Sequence, residues 1–142
     1  MNQSTIQLVP HLHYEGNCEE ALNAYKAIFG GTYEIVQWQG NPATPQPEQG
    51  SRRVMYAIFK FDGNILYMGD VAPGRTLNKD IGTTGLALNM PDSATAQRIF
   101  DQLAEGGRVI VPYGRQFWGA WHGNLFDRFG IRWLINCQTE QV

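Results

Sequence analysis

The sequence has few cysteines, little charge and no long apolar run, and each shortage excludes a class of protein. Only two cysteines occur, Cys18 and Cys137. They show no metal or redox spacing, so neither a disulfide-stapled scaffold nor a thiol-based metal motif is expected. Charged residues make up 17% of the chain and the net charge is −2. That excludes a disordered polyelectrolyte, and no nucleic-acid partner is expected. The longest unbroken apolar run is Val54–Phe59, far short of the roughly 20 residues that cross a bilayer, so no membrane partner is expected either. The opening MNQSTIQLVPHLHY lacks a basic region followed by an apolar stretch. It does not read as a secretion signal, and a reducing, cytoplasmic setting is expected.

What the chain has in quantity is apolar and aromatic side chains. Its 142 residues are 43% hydrophobic and include four Trp, six Tyr and seven Phe. That length lies in the single-domain range and supports a core without staples. The aromatic load implies much buried or cupped apolar surface.

Hydropathy patterning divides the chain into two halves of one plan. Residues 5–14 alternate, with Ile6, Leu8, Leu12 and Tyr14 on one face and Gln7, Val9, His11 and His13 on the other, as in a half-buried strand. A helix follows, with Asn17 as cap, Glu20 completing a capping box, an apolar stripe of Ala21, Leu22, Tyr25, Ile28 and Phe29, and Gly30-Gly31 as its stop. Thr32–Gln39 reads as a strand and GNPATPQPEQG (40–50) as a loop, a flap or dimer arm. Arg53–Asp62 and Asn64–Asp70 read as a hairpin turning at Asp62-Gly63. In the second half Thr83–Met90 reads as a strand, and Asp92 caps a helix whose stripe is Ala96, Ile99, Phe100 and Leu103. Gly106-Gly107 stop that helix, Arg108–Tyr113 is a strand, and 117–127 with 131–137 form a last hairpin. The expected class is α+β, as one domain of two paired βαβββ modules, 1–79 and 80–142.

Two stretches carry a resemblance to a known family. One is Gly16-Asn17-Cys18-Glu19-Glu20-Ala21-Leu22 with Tyr25 and Phe29-Gly30-Gly31. The other is Phe117-Trp118-Gly119-Ala120 with Gly123, Leu125, Asp127, Phe129-Gly130, Trp133 and Asn136. With the strand order, they resemble the vicinal-oxygen-chelate superfamily of glyoxalase I, extradiol dioxygenases and bleomycin-resistance proteins. Within it they resemble the PhnB-like branch, often labelled 3-demethylubiquinone methyltransferase-like. The resemblance implies the glyoxalase/bleomycin resistance fold, in which curved sheets wrap cups, and a homodimer. No glycine-rich loop of the Rossmann type is present to cradle a methyl donor.

In metal-using members of that superfamily, ligands project into the cups from the first and last strands of each module. The resemblance puts His11 near the first such place, Tyr67 in the second, Thr84 or Gly85 in the third, and Leu134 where the metal enzymes carry Glu. Leucine cannot bind a metal, so no metal and no other cofactor is expected. A non-standard set of His11, His13, His122 and Asp70 contains suitable atoms. His122, however, stands where family members often place a bulky aromatic, and Asp70 equally suits a turn cap.

The remaining candidates have structural readings beside functional ones. Cys18 lies in a helix first turn, which favours a thiolate, but Glu19 and Glu20 oppose one. Trp118 and Trp121 differ by three and would point to opposite faces of a strand. Trp133 alternates with Ile131 and Ile135 and reads as core. Arg132 and Asn136 flank Leu134 on the other face, which makes Arg132 a candidate for an anionic ligand group. Asp127 reads as a partner of turn amides. The expected function is small-molecule binding in an aromatic cup with His11, His13, Tyr67 and Arg132 as polar handles, and no residue is assigned a catalytic role. The alternatives are a metal-dependent lyase or dioxygenase with a non-standard ligand set, and a purely protein–protein role.

Overall fold

The computed structural model describes residues 6–37, 53–77 and 84–137. The chain divides into two compact units, Met1–Leu77 and Asn78–Val142. In the first, β1 (His11–Tyr14) leads through α1 (Cys18–Phe29) to β2 (Thr32–Gln37), β3 (Val54–Phe61) and β4 (Asn64–Asp70). In the second, β5 (Leu86–Asn89) leads through α2 (Ser93–Ala104) to β6 (Arg108–Arg115), β7 (Trp121–Phe126) and β8 (Arg132–Cys137). The sheet orders are β1-β4-β3-β2 and β5-β8-β7-β6. These are the same order, so the βαβββ repeat extends from element sequence to strand pairing. In each sheet the first strand runs parallel to the last and the other pairs are antiparallel. The class is α+β.

In the first unit, α1 buries Cys18, Ala21, Leu22 and Tyr25 and packs on β3 and β4. Their partners are Leu12, Tyr14, Ala57, Phe59 and Met68, all buried. Each large apolar side chain so enclosed contributes roughly 1.5–3 kcal/mol. The helix ends at Gly30 (φ 78), whose N–H reaches the Lys26 carbonyl at 2.8 Å. The β3–β4 hairpin turns at Asp62 (φ 49) and Gly63 (φ 81). Two successive positive φ values match the turn that suits the right-handed twist of paired strands.

Two expectations for this unit need correction. The first strand is His11–Tyr14, not 5–14, and Ile6 and Leu8 are 94% and 95% exposed. Pro10 has no N–H to give to a ladder, so pairing starts where its carbonyl accepts from the Tyr67 N–H at 2.9 Å. The capping box is also replaced. The Asn17 side chain makes no cap hydrogen bond. Instead Asp70, at the end of β4, accepts at Oδ1 from Gly16 N–H (2.6 Å) and Cys18 N–H (3.0 Å), and at Oδ2 from Val54 N–H (2.8 Å). A carboxylate makes stronger bonds to helix-start amides than a neutral amide oxygen does.

In the second unit, Asp92 caps α2 as expected, accepting from the Thr95 N–H at 2.7 Å. Ala96, Ile99, Phe100 and Leu103 are buried, and the helix packs on β6, β7 and β8. Gly123 lets the layers approach closely, because a Cβ there would stand 2.6 Å from Tyr113 Cα and 2.8 Å from Phe100 Cε2. Trp118 lies outside the strands. A turn closed by Gly119 N–H on the Gln116 carbonyl (2.9 Å) precedes β7, which begins at Trp121. The expected opposition of Trp118 and Trp121 on one strand therefore does not arise. The proline-rich loop 40–50 and Thr83 lie outside the described residues.

Candidate ligand-binding site

Strand alternation sorts side chains onto two faces of each sheet. In the second unit, Leu125 of β7 and Trp133 and Ile135 of β8 are buried on the α2 side. The opposite face therefore carries His122, Asn124 and Phe126 from β7 and Arg132, Leu134 and Asn136 from β8. Register sets His122 beside Asn136, Asn124 beside Leu134 and Phe126 beside Arg132. On the other side of β8, Ala87 lies beside Leu134 and Asn89 beside Asn136. Gly85 lies against this group, for a Cβ there would meet Leu134 Cδ1 at 2.5 Å.

Polar atoms on this face, where Asn124 is buried and its neighbours are half-buried, join in one direction. Arg132 Nη2 donates to Asn124 Oδ1 at 3.5 Å. Asn124 Nδ2 lies 3.0 Å from His122 Nε2, and His122 Nδ1 lies 2.7 Å from Asn136 Oδ1. Asn136 Nδ2 donates to Asn89 Oδ1 at 3.3 Å. An amide oxygen only accepts, so His122 Nδ1 is the donor to Asn136, and the Asn124 N–H₂ facing Nε2 makes that nitrogen the acceptor. The run Arg132→Asn124→His122→Asn136→Asn89 thus crosses three strands with every donor facing an acceptor. Beside its cationic end, the Phe126 ring has the Arg132 guanidinium 5.7 Å from its centroid and that of Arg108 at 4.7 Å.

The first unit presents a smaller polar group. His11 Nδ1 lies 3.1 Å from His13 Nε2, and the His11 and Tyr67 rings meet edge-on at 6.2 Å. His11 and Tyr67 are register partners across β1 and β4. Partial burial, and then the charge of His13, hold His11 below the ordinary imidazole value of 6.5. Three of the four expected handles therefore come together, while Arg132 belongs to the second unit.

Other candidates have structural roles. Asp70 is 3% exposed and bonded to three backbone amides, so it is not presented to a ligand. Cys18 is fully buried, and that burial, followed by the charges of Asp70 and Glu19, pushes its thiol far up. It is no nucleophile at neutral pH. Asp127 Oδ1 accepts from Phe129 N–H (2.9 Å) and Ile131 N–H (3.0 Å), and its Oδ2 accepts from Trp133 Nε1 (2.8 Å). It holds the β7–β8 turn, as expected. Trp133 is core, also as expected. Reading the sequence missed Asn89 and Asn124 altogether and treated His122 only as a metal candidate. The available signal was polar residues at alternate positions on both arms of the last hairpin.

The model of the 3-demethylubiquinone-9 3-methyltransferase family matches residues 6–136. The chain belongs to this family. Protein PA1353 from Pseudomonas aeruginosa is similar to this PhnB-like chain at 35% identity, with a TM-score of 0.81 over 94% of this chain and 98% of that one. The PhnB protein of Bacillus cereus shares 23% identity and a TM-score of 0.71, covering 93% and 99% of the two chains. A glyoxalase-related enzyme from Fulvimarina pelagi has the same fold at 19% identity and a TM-score of 0.57, covering 93% and 88%. The PhnB-like family thus has the glyoxalase fold, as the sequence resemblance implies.

The family name suggests a methyl donor and the wider superfamily suggests a metal. Among the described residues neither finds a fitting set. The phosphate- and ribose-binding turn of a Rossmann methyl-donor site has no counterpart in this sequence. For a metal, His11 and His13 supply two nitrogens, Asp70 is committed to amides, and His122 has both nitrogens in the amide run. Among the described residues no three His, Cys, Asp or Glu side chains converge.

Proposed function

We propose that this PhnB-like chain binds a small organic molecule on the open sheet faces of its modules, as a homodimer and without an obligatory metal. The observation that carries this reading is the aligned polar run from Arg132 to Asn89. A few directed polar groups among the apolar Phe126, Leu134 and Ala87 are the composition that ligand sites have. In the first unit His11, His13 and Tyr67 offer matching handles. Leu134 in the superfamily's acid position supports the metal-free part.

The homodimer draws support from apolar side chains left at the surface. Phe117 is 96% exposed and meets the exposed Trp118 edge-on at 4.9 Å. No helix among the described residues is long and apolar enough to cross a membrane.

A thermal-shift screen over metabolites and antibiotics tests the binding reading. A ligand at 100 times its Kd adds about 2.7 kcal/mol to stability. Folded protein that responds to no compound counts against the reading. Metal analysis of protein purified without chelators tests the other part, and stoichiometric zinc, nickel, manganese or iron would overturn it.

A further inference from the structure

We infer that the first unit carries a further small-molecule site, a cavity at the β3–β4 turn that takes a single aromatic ring with a short zwitterionic tail, the chemistry of a free aromatic amino acid. The site is separate from the sheet faces proposed above and does not rest on that reading. The internal repeat points to it. Lys60 is the register partner of Ile65, and Phe126 is that of Arg132. A Cβ on Gly31 would run into the Lys60 carbonyl oxygen, and one on Gly107 into the Phe126 carbonyl oxygen. The two hairpin ends are therefore equivalent frames. The second unit crosses its frame with five residues, Asp127 to Ile131, and buries one of them, Phe129, to 4% exposure. The first crosses with four, Phe61 to Asn64, and has no counterpart of the Phe129 ring.

In its place the first unit has a cavity of about 300 Å³, walled by Gly31, Phe61, Gly63 and Ile65 with Lys60 and Asp62. Its walls suit a ring. Phe61 is half-buried, stacks on Phe29 with centroids 4.5 Å apart and meets Phe59 at 5.5 Å, so a cluster of aromatic rings ends at the cavity. A Cβ on Gly63 would meet nothing within 4 Å, which leaves the turn side open. Ligand pockets begin at roughly 300 Å³, and a cavity of about 150 Å³ holds benzene, so there is room for one ring and a few more atoms. Lys60 and Asp62 are exposed and carry opposite charges. They complement a tail that has one carboxylate and one ammonium group.

The probes are phenylalanine, norleucine and 3-phenylpropionate, each titrated into the full chain and followed by 15N-resolved NMR. Phenylalanine should saturably shift the amides of Gly31 and of residues 60–65. It should bind about fivefold more tightly than norleucine, which keeps the tail and lacks the ring. It should also bind more tightly than 3-phenylpropionate, which lacks the ammonium group. Asp62→Asn keeps a residue type that accepts the positive φ of this turn. It should erase the second difference and leave 3-phenylpropionate unaffected. Asn64→Trp puts a ring of the protein's own at the cavity wall and should abolish the shifts in a chain whose spectrum is otherwise that of the fold. Equal binding of phenylalanine and norleucine, shifts centred on His11, Tyr67 or the second unit, or no saturable shift with any probe would each overturn the inference. A compound that maps to this turn bears on this cavity alone, so the sheet-face reading stands or falls separately.

Discussion

His122 Nδ1 lies 2.7 Å from Asn136 Oδ1, and that one contact fixes the tautomer of the ring. An imidazole free in water favours the hydrogen on Nε2. Here Nε2 faces the Asn124 amide N–H₂ at 3.0 Å and has to accept. Nitrogen-15 spectra should therefore show a protonated Nδ1 and an accepting Nε2 at neutral pH. Asn136→Ala should return the ring toward the Nε2–H form. An Nε2–H ring in the unsubstituted protein would contradict the polar run.

Asp127 and Asp70 should be costly to remove, because each holds three donors away from water. Asp127→Ala strands two backbone amides and the Trp133 indole. Asp70→Ala strands the amides of Gly16, Cys18 and Val54. At about 1 kcal/mol or more per buried donor, each change should cost about 3 kcal/mol in chemical denaturation. A loss under about 1 kcal/mol would mean that water replaces the carboxylate.

The two thiols should be inert in the folded chain. Cys18 is fully buried and Cys137 is 1% exposed. An alkylating reagent should modify both only in denaturant. The raised Cys18 thiol also has a consequence for stability. It stays protonated in the fold where the unfolded chain ionises, so stability is whole below the ordinary thiol value of 9.0 and falls as pH rises above it. Cys18→Ala should lessen that alkaline loss. Rapid alkylation of Cys18 in native protein would contradict its placement.

His11 should make the fold sensitive to mild acid. Its lowered value means that the unfolded chain binds the proton more readily than the fold does. Stability is whole above about pH 6.5, the ordinary imidazole value, and is lost as pH falls through the lowered one. His13→Gln removes the neighbouring charge, so the NMR titration of His11 should move up toward 6.5 without reaching it, because burial remains. No movement would mean that the close approach of the two rings is absent in solution.

Local rules made most of the fold legible. Asp92 lies three residues before the amide it caps, and Asp62-Gly63 carries its turn chemistry in two adjacent residues. The stripes of both helices follow from spacing alone. The failures concern partners distant in sequence. Nothing near Asn17 announces that Asp70, more than fifty positions away, captures the helix start. The role of Asn89 depends on β5 lying parallel to β8, a pairing set by the whole module. That His11 and His13 share one face of β1, and that Arg132 faces away from Trp133, follows from strand alternation, whereas the run linking Arg132 to His122 needed the β7–β8 register.

The central claim is that the face bearing Arg132, Asn124, His122, Asn136 and Asn89 is where a ligand binds. The most direct test is amide chemical-shift mapping with any compound that stabilises the protein in the thermal screen, repeated on Arg132→Gln. We expect the largest shifts at Asn89, His122, Asn124 and Asn136, and their loss in the variant while its spectrum remains that of a folded chain. Shifts centred on the helices or on surface loops, unchanged by Arg132→Gln, would contradict it.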